Sequence, residues 1–210
     1  MENVIFLYQY SILIINLLTS MSSKILAISG TSGVGKTTLT KALAKALDAT
    51  CLFWDDFDEL ASGPDDYLDW YERGQNYAEW DYTALAEVLY KLKANQPVEH
   101  PVLKKQLLPT DYIIFDAPLG RLHQQTAGYI NSCFHIVTPL DVSLARRLLR
   151  DFKEVNTSKE DLLAELECYL AGTRKLFFDE ALKKSANLLI DGLLSTEAQV
   201  NLIQNYLKKR

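Results

Sequence analysis

The sequence predicts an α/β fold in which a parallel β-sheet is covered by helices on both faces, giving three layers. Short apolar runs, which are typical of buried strands, alternate with longer segments whose apolar residues recur at helical spacing. Parallel strands need crossover connections, and the helices that supply them cover the sheet on both sides. With 210 residues, 48% of them hydrophobic, the chain is long enough to bury the core of one domain.

The sheet is expected to contain five strands, at residues 24–29, 50–54, 112–115, 134–137 and 187–190. Helices are expected at residues 37–47, 82–94, 142–151 and 158–182. Residues 59–81 are rich in Gly, Pro, Asp, Tyr and Trp without a regular period, which predicts an irregular lobe beside a cleft.

Residues 1–20 stand apart from this pattern. They are almost wholly apolar between Val4 and Leu18, but this run is about five residues too short to span a bilayer. Glu2 stands where a secretion signal would carry Lys or Arg, and Met21 opens a polar segment. We interpret residues 1–20 as an extension outside the fold and residues 21–210 as the domain. A helix that binds a membrane or a partner, and a targeting segment, are the alternatives.

A glycine-rich loop between the first strand and the first helix carries the clearest functional motif. Residues 30–37 satisfy GxxxxGK[ST] in the strand-to-helix context in which this motif binds phosphate. Its backbone N–H groups and the positive end of the helix converge on anionic oxygens. Lys36 would reach the β- and γ-phosphates of ATP, and Thr37 would bind Mg²⁺. The expected nucleotide contacts are Gly30, Thr31, Ser32, Gly33, Val34, Gly35, Lys36, Thr37 and Thr38.

Aspartates that follow two of the strands are candidates for metal binding and proton transfer. Asp116 ends the run YIIFD, where its carboxylate would hold Mg²⁺ through water. Asp55 and Asp56 end the second strand, which we expect beside the strand that precedes the glycine-rich loop. In phosphoryl transfer to a hydroxyl group, a carboxylate accepts the proton and aligns the acceptor. One of the pair is therefore a candidate base, and an acidic turn is the alternative.

Three arginines on one predicted helix form a candidate phosphate clamp. Arg146 and Arg150 are four residues apart and share a helix face, with Arg147 adjacent. Guanidinium groups fork onto phosphate oxygens and neutralise charge that shifts during transfer, whereas a solvated helix face is the alternative. In the irregular lobe, Trp80 is one of several aromatic residues that would stack on a flat ring of the acceptor or simply pack against each other.

Composition and missing motifs disfavour several other functions. The 22 Lys and Arg residues against 27 Asp and Glu give a net charge of −5, so no positive field favours nucleic-acid binding. Cys51, Cys133 and Cys168 are far apart and form no CxxC motif, which indicates a reduced cytoplasmic protein without a zinc site. The guanine-binding motif NKxD is absent, which disfavours a GTPase switch. A membrane role is not expected, and the sequence leaves open whether the chain forms a homo-oligomer.

With these motifs, the chain resembles the uridine kinase and nicotinamide riboside kinase group of P-loop kinases, from about Ile25 to Leu207. The resemblance rests on GTSGVGKTT, WDDF, LDVSLARRLLRD and RKLFFDEALKKSANLLIDG. The third segment matches the RR-x-x-RD pattern of the family's lid. The resemblance implies the three-layer P-loop NTPase fold with a short lid, ATP and Mg²⁺ as cofactors, and a small-molecule hydroxyl acceptor.

The resemblance also implies roles for single residues. Asp55 corresponds to the catalytic base, with Asp56 as a neighbour that would serve Mg²⁺, and Tyr169 and Arg174 correspond to acceptor contacts.

Two departures from the family pattern leave the acceptor open. Asp116 and Ala117 stand where uridine kinases usually have Glu-Gly, and Asp58 replaces the tyrosine that commonly follows Asp-x-Phe. The expected activity is ATP-dependent phosphorylation of a nucleoside or a similar small molecule. The alternatives are a kinase for another metabolite, such as a vitamin precursor or a nucleoside monophosphate, and a regulator that binds ATP without transferring phosphate.

Overall fold

A computed structural model describes residues 22–153 and 157–210, and it confirms the five-stranded parallel sheet. The strand order is β2-β5-β1-β6-β7, and β3 and β4 form a separate antiparallel hairpin. Residues 1–20, which we interpret as an extension, lie outside the described residues. The strands are β1 (Lys24–Ser29), β2 (Thr50–Phe53), β3 (Val98–Glu99), β4 (Gln106–Leu107), β5 (Tyr112–Asp116), β6 (Ile130–Val137) and β7 (Leu188–Asp191).

Eight α-helices and four short 3-10 helices occur in the described part of the chain. The α-helices are α1 (Lys36–Leu47), α2 (Tyr67–Glu72), α3 (Thr83–Lys93), α4 (Gln124–Ala127), α5 (Leu140–Asp151), α6 (Lys159–Ala171), α7 (Glu180–Ser185) and α8 (Thr196–Leu207). The 3-10 helices are Asp55–Leu60, Tyr77–Glu79, Gly120–Leu122 and Thr173–Phe177.

The expectation that β2 lies beside β1 is wrong, because β5 lies between them. In the register of the sheet, Asp116 of β5 faces Ile28 of β1 on one side and Phe53 of β2 on the other. Burial explains this order: four of the five residues of β5 are buried, whereas only Leu52 of β2 is. A strand that is apolar at nearly every position belongs inside the sheet, and β2 suits its edge.

The single helix expected over residues 158–182 is instead two helices joined by a 3-10 turn. Helix α6 ends at Gly172, where a Cβ atom would lie 3.2 Å from Cδ2 of Leu68. Glycine therefore allows the end of α6 to approach the lobe that contains α2. That lobe, expected to be irregular, contains α2 and a 3-10 turn, and the β3–β4 hairpin and α8 lie outside the predicted elements.

The three inner strands of the sheet, β5, β1 and β6, are buried on both faces, so each supplies apolar side chains to two clusters. In β1, Ile25 and Ala27 enter one cluster and Leu26 and Ile28 enter the other. The first cluster packs beneath α3 and the second beneath α1 and α8, as expected for a three-layer fold. In the part of the chain that the structure describes, no helix is long and apolar enough to cross a membrane.

Candidate active site

The candidate site lies at the carboxyl edge of the sheet, where β1, β2 and β5 end together. Backbone hydrogen bonds continue the ladder past the strands: Trp54 N–H donates to the Asp116 carbonyl (3.2 Å), and Ala117 N–H donates to the Ile28 carbonyl (2.9 Å). These bonds hold the segment after β2 and the segment after β5 next to the glycine-rich loop after β1. Ligands of parallel α/β sheets bind at this edge.

The glycine-rich loop adopts a backbone that only glycine accommodates easily. Gly33 and Gly35 have φ of +83° and +103°, a conformation that side chains disfavour. A Cβ atom at Gly30 would lie 2.8 Å from Cγ2 of Val34, and one at Gly33 would overlap the carbonyl oxygen of Ser143. The loop is therefore tightly curled, and α5 packs directly against it.

Lys36 is the first residue of α1 and extends across the loop. Its Nζ donates a hydrogen bond to the Thr31 carbonyl at 3.0 Å. Burial lowers the pKa of Lys36 from its usual value, while Asp116 and Asp55 oppose that change by favouring the charged ammonium group. The positive charge thus lies between two carboxylates and the loop that would bind phosphate.

Thr37 and Asp116 form the oxygen-rich part of the site. The Thr37 hydroxyl donates to Oδ2 of Asp116 at 2.8 Å, and Asp116 is only 5% exposed. Burial raises the pKa of Asp116, whereas the Lys36 charge and the Thr37 hydrogen bond lower it. A hydroxyl and one carboxylate fit Mg²⁺, which binds few protein oxygens and takes its other ligands from water and phosphate. Among the described residues, no group of three or more His, Cys, Asp or Glu forms a larger metal site.

Asp55 lines a cleft together with Gly33, Gly35 and Lys36 of the glycine-rich loop and α1. Partial burial raises its pKa, and the negative charge of Asp58 raises it further. Lys36 and Arg150 oppose this effect. A carboxylate with a raised pKa, partly open to a cleft, is suited to accept a proton.

Asp56 follows Asp55 directly in the chain, but its side chain lies beside the β3–β4 hairpin and not in the cleft. Its Oδ2 lies 3.8 Å from Nε2 of His100, a fully buried side chain in the β3–β4 hairpin. Asp56 is not among the residues that line the cleft, so the structure does not bring it together with Thr37 and Asp116.

The cleft has a volume of about 620 Å³, and two of the three predicted arginines line it. Nη1 of Arg146 donates to the Gly192 carbonyl at 3.0 Å, and Nε of Arg150 lies 2.6 Å from Oδ1 of Asp151. Positive charge therefore faces the loop from α5. The lining residues are Gly33, Gly35, Lys36, Thr37, Thr38, Asp55, Arg146 and Arg150.

Arg147 is turned out of the cleft. Its Nη1 lies 2.6 Å from Oε1 of Glu165 on α6, and its guanidinium carbon lies 5.2 Å from the ring centroid of Phe177. The expectation that it clamps phosphate with Arg146 and Arg150 is not met in this arrangement, because residue 147 is one position round the helix and faces α6.

The three predicted acceptor contacts other than Asp55 do not meet in the cleft. Trp80 packs on Tyr67, with ring centroids 5.3 Å apart. Tyr169 is buried, and Arg174 lies over the Phe178 ring. These contacts are packing within the lobe and the α6–α7 segment.

A buried hydrogen-bond chain next to the loop has no counterpart in the sequence motifs. Nδ1 of His135 lies 3.0 Å from the hydroxyl of Ser29, and its Nε2 lies 2.8 Å from Oδ2 of Asp179. Because Asp179 as a carboxylate only accepts, Nε2 of His135 donates this hydrogen bond. Ser29 and His135 are fully buried, so this chain links β1 and β6 to Asp179, the residue that precedes α7. The three residues are 106 and 44 positions apart, so no local spacing could reveal it.

Comparisons with known proteins agree with this architecture. A family model described as an AAA domain matches residues 26–205. Uridine kinase from Borrelia garinii subsp. bavariensis is 27% identical over 198 residues, which cover 89% of this chain and 95% of that protein. Uridine kinase from Anoxybacillus flavithermus is 27% identical over 206 residues, covering 86% and 96%. The structure of a proposed fructose transport system kinase from Silicibacter sp. TM1040 shares the fold at 16% identity, with a TM-score of 0.50 over 80% of this chain and 90% of that one.

Proposed function

The chain belongs to the AAA-domain family matched over residues 26–205, and on this premise we propose that it transfers the γ-phosphoryl group of ATP to a hydroxyl group of a nucleoside or a similar small molecule. That the chain is a P-loop small-molecule kinase follows from its similarity to a uridine kinase over 95% of that protein's length. The single observation that carries transfer to a hydroxyl group is that Asp55 lines the same cleft as Lys36, because a base beside the phosphate site serves an incoming hydroxyl.

The proposed donor site is the glycine-rich loop with Lys36. The loop's N–H groups would bind the phosphate oxygens, and the ammonium group would neutralise their charge. Mg²⁺, held by Thr37 and Asp116, would supply charge neutralisation at the β- and γ-phosphates. The hydrogen bond between these two side chains supports this assignment, because it already fixes both oxygens at the edge of the loop.

The proposed proton acceptor is Asp55. An acceptor hydroxyl next to it would pass its proton to the carboxylate as the oxygen approaches the phosphate. Arg146 and Arg150 would hold the oxygens that gain charge in the transition state, since both face the cleft from α5. Such a site works by placement and charge stabilisation.

The proposal is tested by ADP release over a panel of acceptors that contains nucleosides, nucleoside monophosphates and pantothenate-like compounds. We expect acceptor-dependent release with at least one nucleoside. Lys36→Met should lower kcat/KM roughly 100- to 1,000-fold, as for the loss of one preorganised donor. Asp55→Asn should lower kcat roughly 100- to 10,000-fold.

Two substitutions of exposed residues serve as matched controls: Lys45→Met on α1 and Asp65→Asn in the lobe. Both should leave turnover within about twofold, in line with other exposed substitutions. ATP binding with no acceptor-dependent turnover across the whole panel, together with indifference to Asp55→Asn, would contradict the proposal and favour a regulator.

A further inference from the structure

Arg147 carries hydrogen-bond donors that no described residue satisfies. Its side chain is 14% exposed, and only Nη1 is paired, with Oε1 of Glu165. Nε and Nη2 are buried, and neither has a hydrogen-bond partner among residues 22–153 and 157–210. Buried donors without partners are unfavourable, most of all on a charged group, so this guanidinium has unused capacity for an anionic acceptor.

Arg147 also stands directly over the glycine-rich loop. Its Cβ lies 3.3 Å from the position that a Cβ atom would take on Gly33. Its neighbours on α5, Arg146 and Arg150, line the cleft. The side chain of Arg147 therefore begins beside the glycine-rich loop, but the Glu165 carboxylate and the Phe177 ring hold its guanidinium on the α6 side.

We propose that Glu165 is a positioning residue that competes with bound polyphosphate for Arg147. While Arg147 is paired with Glu165 it does not line the cleft, so its guanidinium must leave the Glu165 carboxylate to fork onto phosphate oxygens at the loop. When a polyphosphate occupies the loop, Arg147 exchanges the Glu165 carboxylate for phosphate oxygens. Glu165 thereby weakens binding of the polyphosphate and favours its release. This inference rests on the proposed function, since it takes the loop to be the donor site.

The first test measures binding of inorganic tripolyphosphate to the full chain by calorimetry. Glu165→Gln keeps the shape of the side chain and removes its charge, so tripolyphosphate should bind roughly tenfold more tightly, the value of one hydrogen bond to a charged group. The KM for ATP should fall by a similar factor without a rise in kcat. The matched control is Glu167→Gln, an exposed position on the same helix, which removes the same charge and should change binding by less than about twofold.

A double-mutant cycle separates competition from a general change in charge or folding. Arg147→Met keeps an apolar stem over Phe177 and should weaken tripolyphosphate binding roughly tenfold. In that background Glu165→Gln should have no further effect. Unchanged binding by Glu165→Gln alone, or equal tightening with and without Arg147, would overturn the inference.

Lys36→Met distinguishes failure of this inference from failure of the proposed function. If Lys36→Met leaves tripolyphosphate binding unchanged, the loop is not the donor site, and both the role of Glu165 and the proposed function are refuted. If it weakens binding while Glu165→Gln has no effect, only the role of Glu165 is refuted.

Discussion

Replacing Gly33 by alanine tests how closely helix α5 must approach the glycine-rich loop. Gly33 has φ +83°, and an added Cβ would overlap the Ser143 carbonyl. Gly35 is the matched control, because its φ is +103° and an added Cβ would have no atom within 4 Å. Both substitutions introduce backbone strain, but only Gly33→Ala pushes on another element.

The expected difference follows from these two contributions. Backbone strain at a positive φ costs about 2 kcal/mol, which should apply at both positions. Displacing α5 should add about 2 kcal/mol at Gly33, as in other overpacked sites. For a chain of this size, Tm should therefore fall by about 6 °C for Gly35→Ala and about 12 °C for Gly33→Ala.

Calorimetric unfolding without nucleotide measures both values, so that binding effects do not enter. Gly33→Ala should also lower kcat/KM, because α5 carries Arg146 and Arg150 into the cleft. Equal Tm values for the two variants would refute this reasoning, since they would show that α5 moves away from the extra methyl group with no loss of stability.

Two further predictions concern the base and the core. Burial and the nearby Asp58 raise the pKa of Asp55. The acidic limb of the pH profile of kcat/KM should therefore lie at a higher pH than the usual carboxyl range. Asp58→Asn keeps an oxygen for the Tyr82 hydroxyl but removes the charge, so this limb of the pH–rate profile should move to lower pH; a shift to higher pH would contradict the assignment. Leu89→Ala should reduce the free energy of unfolding by about 2–5 kcal/mol in denaturant titrations, because Leu89 is 0% exposed. Leu108→Ala, at 59% exposure, is the control and should change it by less than about 0.5 kcal/mol; a similar loss for both variants would argue against the described core.

Features encoded by neighbouring residues could be predicted from the sequence. The five strands are continuous apolar runs, and the glycine-rich loop has fixed spacing, so fold class and phosphate loop follow from local patterns. Helix α8 carries such a pattern too, with Ser195 capping its start and Val200 and Ile203 facing the core, although it lies outside the predicted set.

Features that depend on competition between distant segments could not be predicted from the sequence. Both β2 and β5 read as apolar strands, and only their relative burial places β5 between β2 and β1. Arg146 and Arg147 are adjacent and chemically identical, and the direction of each depends on Gly192 and Glu165, 46 and 18 positions away. A helical wheel gives the face of each side chain but not what lies opposite it.

The edge position of β2 has a consequence for the order in which the chain assembles. Among the described strands, β2 pairs with β5 alone, which begins about sixty residues later. During synthesis on the ribosome, β1 and β2 therefore form no backbone hydrogen bonds with each other. Leu52 and Trp54 remain exposed to solvent until β5, which ends at residue 116, has left the ribosome. Long-range pairing of this kind slows folding and exposes intermediates to aggregation. A nascent chain stopped before β5 should accordingly be sensitive to proteases and bound by chaperones, and one extended past β6 should be protected.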